Sequence, residues 1–246
     1  MRRFNWVMCG RFNLTTNDYK AVAQALDAEL LAEADECRPR YNVAPGDRHP
    51  IVWLDDADAS RRLMLTAIWG MPGVQDDRFH INARSETVHT KPAFRDALFR
   101  ARCLVAADGF FEWTGDKNDR QPIWYHPQGG GLWVFAGLYR DVVDRKTGEV
   151  QRRFTILTTQ ANDLVGQIHD RMPVILDAAG REQWLAPPPT DVHTWPAVFS
   201  RMRPILQPLD SQAVIATEVS NRVNRVAHDD PACIAEHRHV KQQTLF

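Results

Sequence analysis

This sequence predicts an α+β domain with mainly antiparallel strands, and two observations carry that reading. Short runs rich in β-branched and aromatic residues recur along the chain: His49–Leu54, Leu63–Trp69, Cys103–Ala107, Ile123–Tyr125, Leu132–Tyr139, Phe154–Thr159 and Ala213–Val219. Segments with helical spacing are inserted among them rather than forming a bundle of their own.

The elements follow in order. Residues 1–7 read as an extension outside the fold. From Thr16 or Asn17, which can cap, a helix is expected to about Ala34, with Val22, Leu26 and Leu30 on its buried face. Two prolines and a glycine mark Arg38–Gly46 as a loop. An Asp/Ala/Ser turn separates the strands at 49–54 and 63–69. Pro92–Arg100 reads as a short helix, Lys146–Glu149 as a hairpin tip, and Ala161–Ile168 and Ala178–Leu185 as helices. Val174–Leu176 reads as a strand, and Pro187–Pro189 breaks the chain. After Pro231 the polar tail is expected to be loosely held, with residues 235–246 outside the domain.

Composition narrows the function classes. Hydrophobic residues are 44% and charged residues 25%, with a net charge of −1, so no global basic field marks a nucleic-acid binder. Any anion site must be local. Arginine supplies 25 of the 30 basic residues; its planar fork suits phosphate, and a GC-rich genome explains the bias equally well. No apolar run approaches the ~18 residues of a membrane span, and no signal-peptide core follows Met1-Arg2-Arg3. Cys9, Cys37, Cys103 and Cys233 are widely spaced without a C-x-x-C pair. That argues against zinc and for reduced thiols in the cytoplasm. No metal or cofactor is expected.

Four polar islands interrupt the apolar segments: Cys9-Gly10-Arg11, Asn82–Thr87, Glu112 among the aromatics of Gly109–Trp113, and His169-Asp170-Arg171. Each has a bland reading as a turn, a solvated strand face or a helix end. Together they supply a nucleophile, an amide, a carboxylate in apolar company and a histidine, the inventory for covalent carbonyl chemistry with acid–base help. If the chain starts at Met8 or is cut after it, Cys9 carries an α-amine beside its thiol. Such a 1,2-aminothiol condenses with an aldehyde to a Schiff base and closes to a thiazolidine.

Six segments, Met8–Phe12, Arg40–Pro45, Trp69-Gly70, Ile81–Thr87, Gly109–Trp113 and His169–Pro173, resemble in order the SOS response-associated peptidase family. The resemblance runs from residue 8 to about 234. It implies a single domain with a curved, barrel-like β core and peripheral helices. It implies a protein that crosslinks to abasic sites in single-stranded DNA through an N-terminal cysteine and removes what precedes that cysteine. Two departures stand out: seven residues precede Met8, and Val219–Asn224 fits the family's closing pattern loosely.

The resemblance also implies roles. Cys9 is the nucleophile, Asn82 orients its amine, Glu112 is the catalytic carboxylate, and His169 exchanges a proton with the sugar oxygen. Phe111 and Trp113 are expected to desolvate Glu112 and raise its pKa. Arg84 and Arg171 match phosphate-holding arginines, with Arg11 beside them. Asn42, Pro45, Trp69, Trp113 and Thr158 fall where the family shapes its DNA groove; Trp69 is either a stacking face or a core residue. The expected partner is abasic single-stranded DNA, with no membrane, a monomeric state and a cytoplasmic, nucleoid-associated location. Two alternatives stay open: a cysteine peptidase or amidase acting in trans, and a non-covalent single-stranded DNA module.

Overall fold

The computed structural model describes residues 9–31, 38–73, 78–116, 119–144, 147–188 and 191–237. The extension at 1–7, Met8, Cys37, Lys146, Pro189 and residues 238–246 lie outside the described residues. The elements are β1 (Phe12–Leu14), α1 (Tyr19–Ala25), β2 (Glu29–Leu30), β3 (Arg40–Val43), β4 (Arg48–Leu54), β5 (Arg62–Trp69), β6 (Met71–Pro72) and β7 (Phe79–His80). Next come β8 (Asn82–Arg84), α2 (Pro92–Arg100), β9 (Arg102–Ala107), β10 (Gly109–Thr114), β11 (Gln121–Pro127), β12 (Trp133–Val143) and β13 (Val150–Gln160). The described chain finishes with β14 (Arg171–Pro173), α3 (Ala178–Leu185), α4 (Trp195–Met202) and β15 (Val214–Glu218).

Five strands close a barrel in the order β5-β4-β9-β12-β13. The first four contacts are antiparallel; closure is a short parallel pairing, Arg153 with Ile68 and Phe154 with Trp69. Strand β9 is buried on both faces. Cys103, Val105 and Ala107 join one apolar cluster, and Leu104 and Ala106 join the other, as the two-residue strand period requires. A second sheet, β15-β11-β10-β1-β3, lies on the first cluster. Phe12 of β1 meets Trp69 edge-on at 4.9 Å and His49 at 4.7 Å, joining the sheet to the barrel. The four helices cover the second cluster through Val22, Leu98, Trp184 and Phe199. No helix among the described residues is long and apolar enough to cross a membrane.

Local chemistry explains the departures from the sequence reading. Helix α1 is capped by Asp18, whose carboxylate accepts from the Ala21 amide, and it ends at Ala25 rather than Ala34. Asp27 takes φ +51°, which no helix propagates, and Glu29–Leu30 then pairs parallel to β5. Within the expected loop at 38–46, Arg40–Val43 pairs antiparallel to β1. Ala161–Ile168 holds only a short 3-10 turn, Val165–Gln167. The strand expected at 174–176 lies at Arg171–Pro173 instead. The described part of the stretch after Pro231, residues 232–237, is packed, not loose: Cys233 is fully buried, and the His237 amide donates to the Glu218 carbonyl at 2.9 Å. The Gly148 hairpin tip is as read, with φ +77° and its amide on the Asp144 carbonyl.

Candidate active site

The C-terminal half of β13 gathers two short strands. Strand β8 lies parallel along Ile156–Thr158, and β14 runs antiparallel along Thr158–Gln160. These pairings bring the second and fourth polar islands together. The second sheet supplies the rest. The Phe111 amide donates to the Arg11 carbonyl at 3.0 Å, so the segment before β1 runs back along β10 until Cys9 reaches Glu112.

At that meeting point the Cys9 backbone nitrogen donates to Glu112 Oε1 at 2.6 Å. Both residues are buried, at 3% and 5% exposure. Asn82 Nδ2 donates to the Cys9 carbonyl at 3.4 Å, and the Cys9 thiol lies 3.7 Å from the Arg171 carbonyl. The Arg171 amide donates to His169 Nδ1 at 3.1 Å. Cys9 has φ +45°, a left-handed conformation unusual outside glycine.

Burial sets the protonation of the pair. Desolvation raises the pKa of Glu112 above its ordinary value, against the lowering effect of the Cys9 hydrogen bonds and His169. The thiol is raised further, first by burial and then by the neighbouring carboxylate. Cys9 therefore rests as a thiol, with a base beside it, rather than as a preformed thiolate. Glu112 is not desolvated by its sequence neighbours, as the sequence reading held. Phe111 and Trp113 project to the other face of β10, where they pack with Val219, Val223 and Cys233. The Glu112 face is covered instead from the side of Phe110, Ile123 and Tyr125.

The assigned groove residues divide into two groups. Arg84 and Pro45 are exposed, and Trp113 is partly exposed, its indole donating to Asn224 Oδ1 at 2.6 Å. Trp69 is 1% exposed, donates to the Ile81 carbonyl and stacks on Phe154, so it is a core residue with no face for a base. Asn42 is fully buried; its amide donates to the Val223, Arg225 and His228 carbonyls, and its oxygen accepts from Arg11. Thr158 is buried and gives its carbonyl to Arg171. Arg11 lies 5.8 Å from the Trp113 ring centroid and also donates to the Val223 carbonyl. Arg171 is buried and bidentate on Glu86 at 2.7 and 2.9 Å, so it is not an open phosphate seat.

The sequence reading missed Glu86 as that partner; its position two residues after Arg84 gave no sign of which way it turns. Asp229 was also missed. It accepts from the Tyr41 and Asn42 amides and pairs with Arg40, tying the C-terminal strap to β3. Three free cysteines, Cys9, Cys103 and Cys233, are buried, and no group of His, Cys, Asp or Glu among the described residues is placed to hold a metal.

A closed barrel with a second sheet thus lays a buried cysteine nitrogen on a buried glutamate. Residues 8–226 match the SOS response associated peptidase family, and the chain belongs to that family. It is 34% identical over 236 residues to the abasic site processing protein YoqW of Bacillus subtilis (strain 168), covering 94% of this chain and all of that one. It is 28% identical over 235 residues to the abasic site processing protein HMCES of Xenopus tropicalis, covering 82% of this chain and 68% of that one. A crystal structure of a protein from Bacteroides thetaiotaomicron shares the fold, with a TM-score of 0.77 at 23% identity, covering 94% of this chain and all of that one.

Proposed function

We propose that this chain processes abasic sites in single-stranded DNA by forming a covalent crosslink through Cys9, after cutting the Met8–Cys9 bond itself. The observation that carries the reading is the Cys9 nitrogen held on Glu112 at 2.6 Å, with the thiol of the same residue in the same buried site. The names of the relatives supply the substrate class.

In the crosslinking step the open-chain sugar presents an aldehyde at C1′. The free Cys9 amine adds to C1′, and loss of water leaves a Schiff base. The thiol then adds to the same carbon, and its proton passes to the ring nitrogen, closing a thiazolidine. Glu112 is placed to carry that proton because it sits on the nitrogen, and its raised pKa brings it nearer the range useful for transfer. His169 stands at the rim to exchange a proton with the departing sugar oxygen. Arg84, Pro45 and Trp113 offer the strand an exposed phosphate contact and stacking surface.

Self-cleavage uses the same atoms. The Cys9 thiol gives its proton to Glu112 as the sulfur attacks the Met8 carbonyl carbon, the C–N bond breaks as Glu112 passes that proton to the leaving nitrogen, and water hydrolyses the thioester. The left-handed Cys9 torsion, of order 1–3 kcal/mol in cost, is defined by the preceding carbonyl carbon, so breaking that bond releases it. The experiment is intact-mass measurement after incubation with abasic single-stranded DNA. A covalent adduct on a chain beginning at Cys9 supports the proposal. Cleavage of added peptides alone points to a trans-acting peptidase, and reversible binding alone points to a non-covalent module.

A further inference from the structure

The ion pair between Glu86 and Arg171 borders a cavity that the chemistry above does not use. It has a volume of about 200 Å³ and opens between the residues after β8, the end of β13 and the segment after α4. Two of its lining residues are almost fully buried and still carry hydroxyls without a partner. Ser85 is 6% exposed and Thr159 is 4% exposed, and neither hydroxyl has a hydrogen bond among the described residues. Both hydroxyls are open to solvent rather than sealed in the core. The Ser85 amide donates to the Thr158 carbonyl at 2.9 Å, which extends the β8–β13 pairing and sets Ser85 beside Thr159. Polar side chains this buried normally have a partner, so two idle hydroxyls at one opening point to a bound group.

The charges at the opening are unequal. Glu86 lines the cavity, but Arg171 fills its carboxylate with a bidentate pair at 2.7 and 2.9 Å. Arg203 also lines it, is exposed, and has no carboxylate partner among the described residues, so it is the uncompensated charge. Gln207 Nε2 donates to the Arg203 carbonyl at 2.9 Å and braces the turn that presents Arg203. The side-chain amide of Gln160 adds a further donor. What remains unspent is a guanidinium, two hydroxyls and an amide, all able to donate, around a space smaller than the ~300–1,000 Å³ of pockets for drug-sized ligands. Such a set suits a small group that only accepts. A phosphodiester has unesterified oxygens, one negative charge and no donor, and a guanidinium fork matches it. We propose that this cavity seats one phosphodiester of the strand that carries the abasic site, held by Arg203, Ser85 and Thr159. A phosphate contact carries no base information, so the seat acts on every sequence alike. Arg84, the exposed phosphate contact proposed above, is the residue before Ser85, so the two seats are neighbours in the chain. The inference rests on the reading of the chain as a single-stranded DNA protein.

The test uses oligothymidylates in which one phosphate at a time, on both sides of the lesion, is replaced by an uncharged methylphosphonate. The lesion is a tetrahydrofuran abasic analogue, which has no aldehyde, so affinity is read without crosslinking. The expected result is one position at which the replacement weakens wild-type binding about 10-fold, the scale of one hydrogen-bonded charge, and has no effect in Arg203→Met. That variant should also lower the slope of log K against log salt by about 0.7, the contribution of one phosphate. Ser85→Ala and Thr159→Val should each shrink the effect at the same position and at no other. If every sensitive position stays equally sensitive in Arg203→Met, the subsite is overturned. Crosslinking of the natural abasic strand is measured in parallel. Crosslinking without an Arg203-linked position sinks the subsite alone; an Arg203-linked position without crosslinking supports the subsite and sinks the crosslinking reading. NMR titration with inorganic phosphate separates the sources of the anion. Shifts of the Ser85 and Thr159 amide signals, with no Arg203-linked position in any strand, would make this a seat for free phosphate and overturn the assignment to the strand.

Discussion

Cys9 and Glu112 are 103 residues apart in the chain, and the backbone nitrogen of the first donates to the carboxylate of the second at 2.6 Å. Both residues are buried. A carboxylate that burial pushes toward protonation costs the fold stability wherever it is ionised.

That cost gives the first prediction. The folded pKa of Glu112 lies above its unfolded value of about 4.5, so ionising it in the fold is unfavourable. The penalty is absent below pH 4.5 and grows as pH rises through the folded pKa. Glu112→Gln removes the charge and keeps an acceptor for the Cys9 nitrogen. It should match wild type in stability near pH 4 and exceed it at pH 8, with Tm rising about 2–4 °C per kcal/mol recovered. The same variant should slow crosslinking about 100-fold or more and accumulate the uncut chain. Thermal melts at the two pH values and a crosslinking time course check both parts; a variant less stable at pH 8 than at pH 4 relative to wild type contradicts the assignment.

Under the proposed function the exposed Arg84 is the cleaner phosphate contact, because Arg171 is buried and committed to Glu86. Arg84→Ala should weaken binding to single-stranded DNA and reduce the slope of log K against log salt by about 0.7, the contribution of one phosphate. Arg171→Ala should instead lower Tm together with affinity, since it removes a buried guanidinium that holds Glu86 in a bidentate pair and donates to the Thr158 carbonyl. Binding isotherms at several salt concentrations test this; an unchanged slope for Arg84→Ala removes it from the DNA surface.

How far the sequence reached depends on whether a feature is local. The Pro92–Arg100 helix was legible from its first-turn proline and apolar spacing, and the barrel strands from their β-branched runs. The four polar islands were legible because polar residues interrupt buried strands. Their partners were not: Glu86 with Arg171 and Glu112 with Cys9 are meetings across 85 and 103 residues. Glu112 was read beside its sequence neighbours Phe111 and Trp113, although on a strand those side chains turn away. Trp69 was undecidable until the face carrying Phe12 and Phe154 was known. The Trp195–Met202 helix was hidden by Pro196, which sits in its first turn, where proline is tolerated.

His49 supplies a prediction about acid stability. It is fully buried with Nε2 on the Ala106 carbonyl, and burial lowers its pKa from 6.5 to about 3. The unfolded chain therefore binds a proton that the fold rejects. Stability from this group is complete above pH 6.5 and is lost as pH falls from 6.5 toward 3, by up to ~5 kcal/mol. His49→Gln should flatten the acid limb of a urea-midpoint-versus-pH curve. An acid limb identical to wild type would show that other groups control it.

Arg102 ties two helix ends together. Its buried guanidinium donates to the Leu98 and Phe99 carbonyls of α2 and to the Trp184 and Ala186 carbonyls at the end of α3. Burial lowers its pKa only to about 10, so it stays charged at neutral pH. Arg102→Met should cost at least ~3 kcal/mol, because four carbonyls lose a charged donor. Arg102→Lys should recover little, since an ammonium cannot reproduce the planar fork. Chemical denaturation checks the loss, and full rescue by lysine would contradict the fork's role.

The central claim is that the nitrogen and sulfur of Cys9 both bond to the abasic sugar. Peptide mapping of the adduct by tandem mass spectrometry tests it most directly, using protein expressed from Met1 and an abasic single-stranded oligonucleotide. The predicted result is a modified peptide that begins at Cys9 and carries the sugar remnant as a thiazolidine, with no adduct in Cys9→Ala. An adduct on any other residue, or on a chain that still carries residues 1–8, would contradict it.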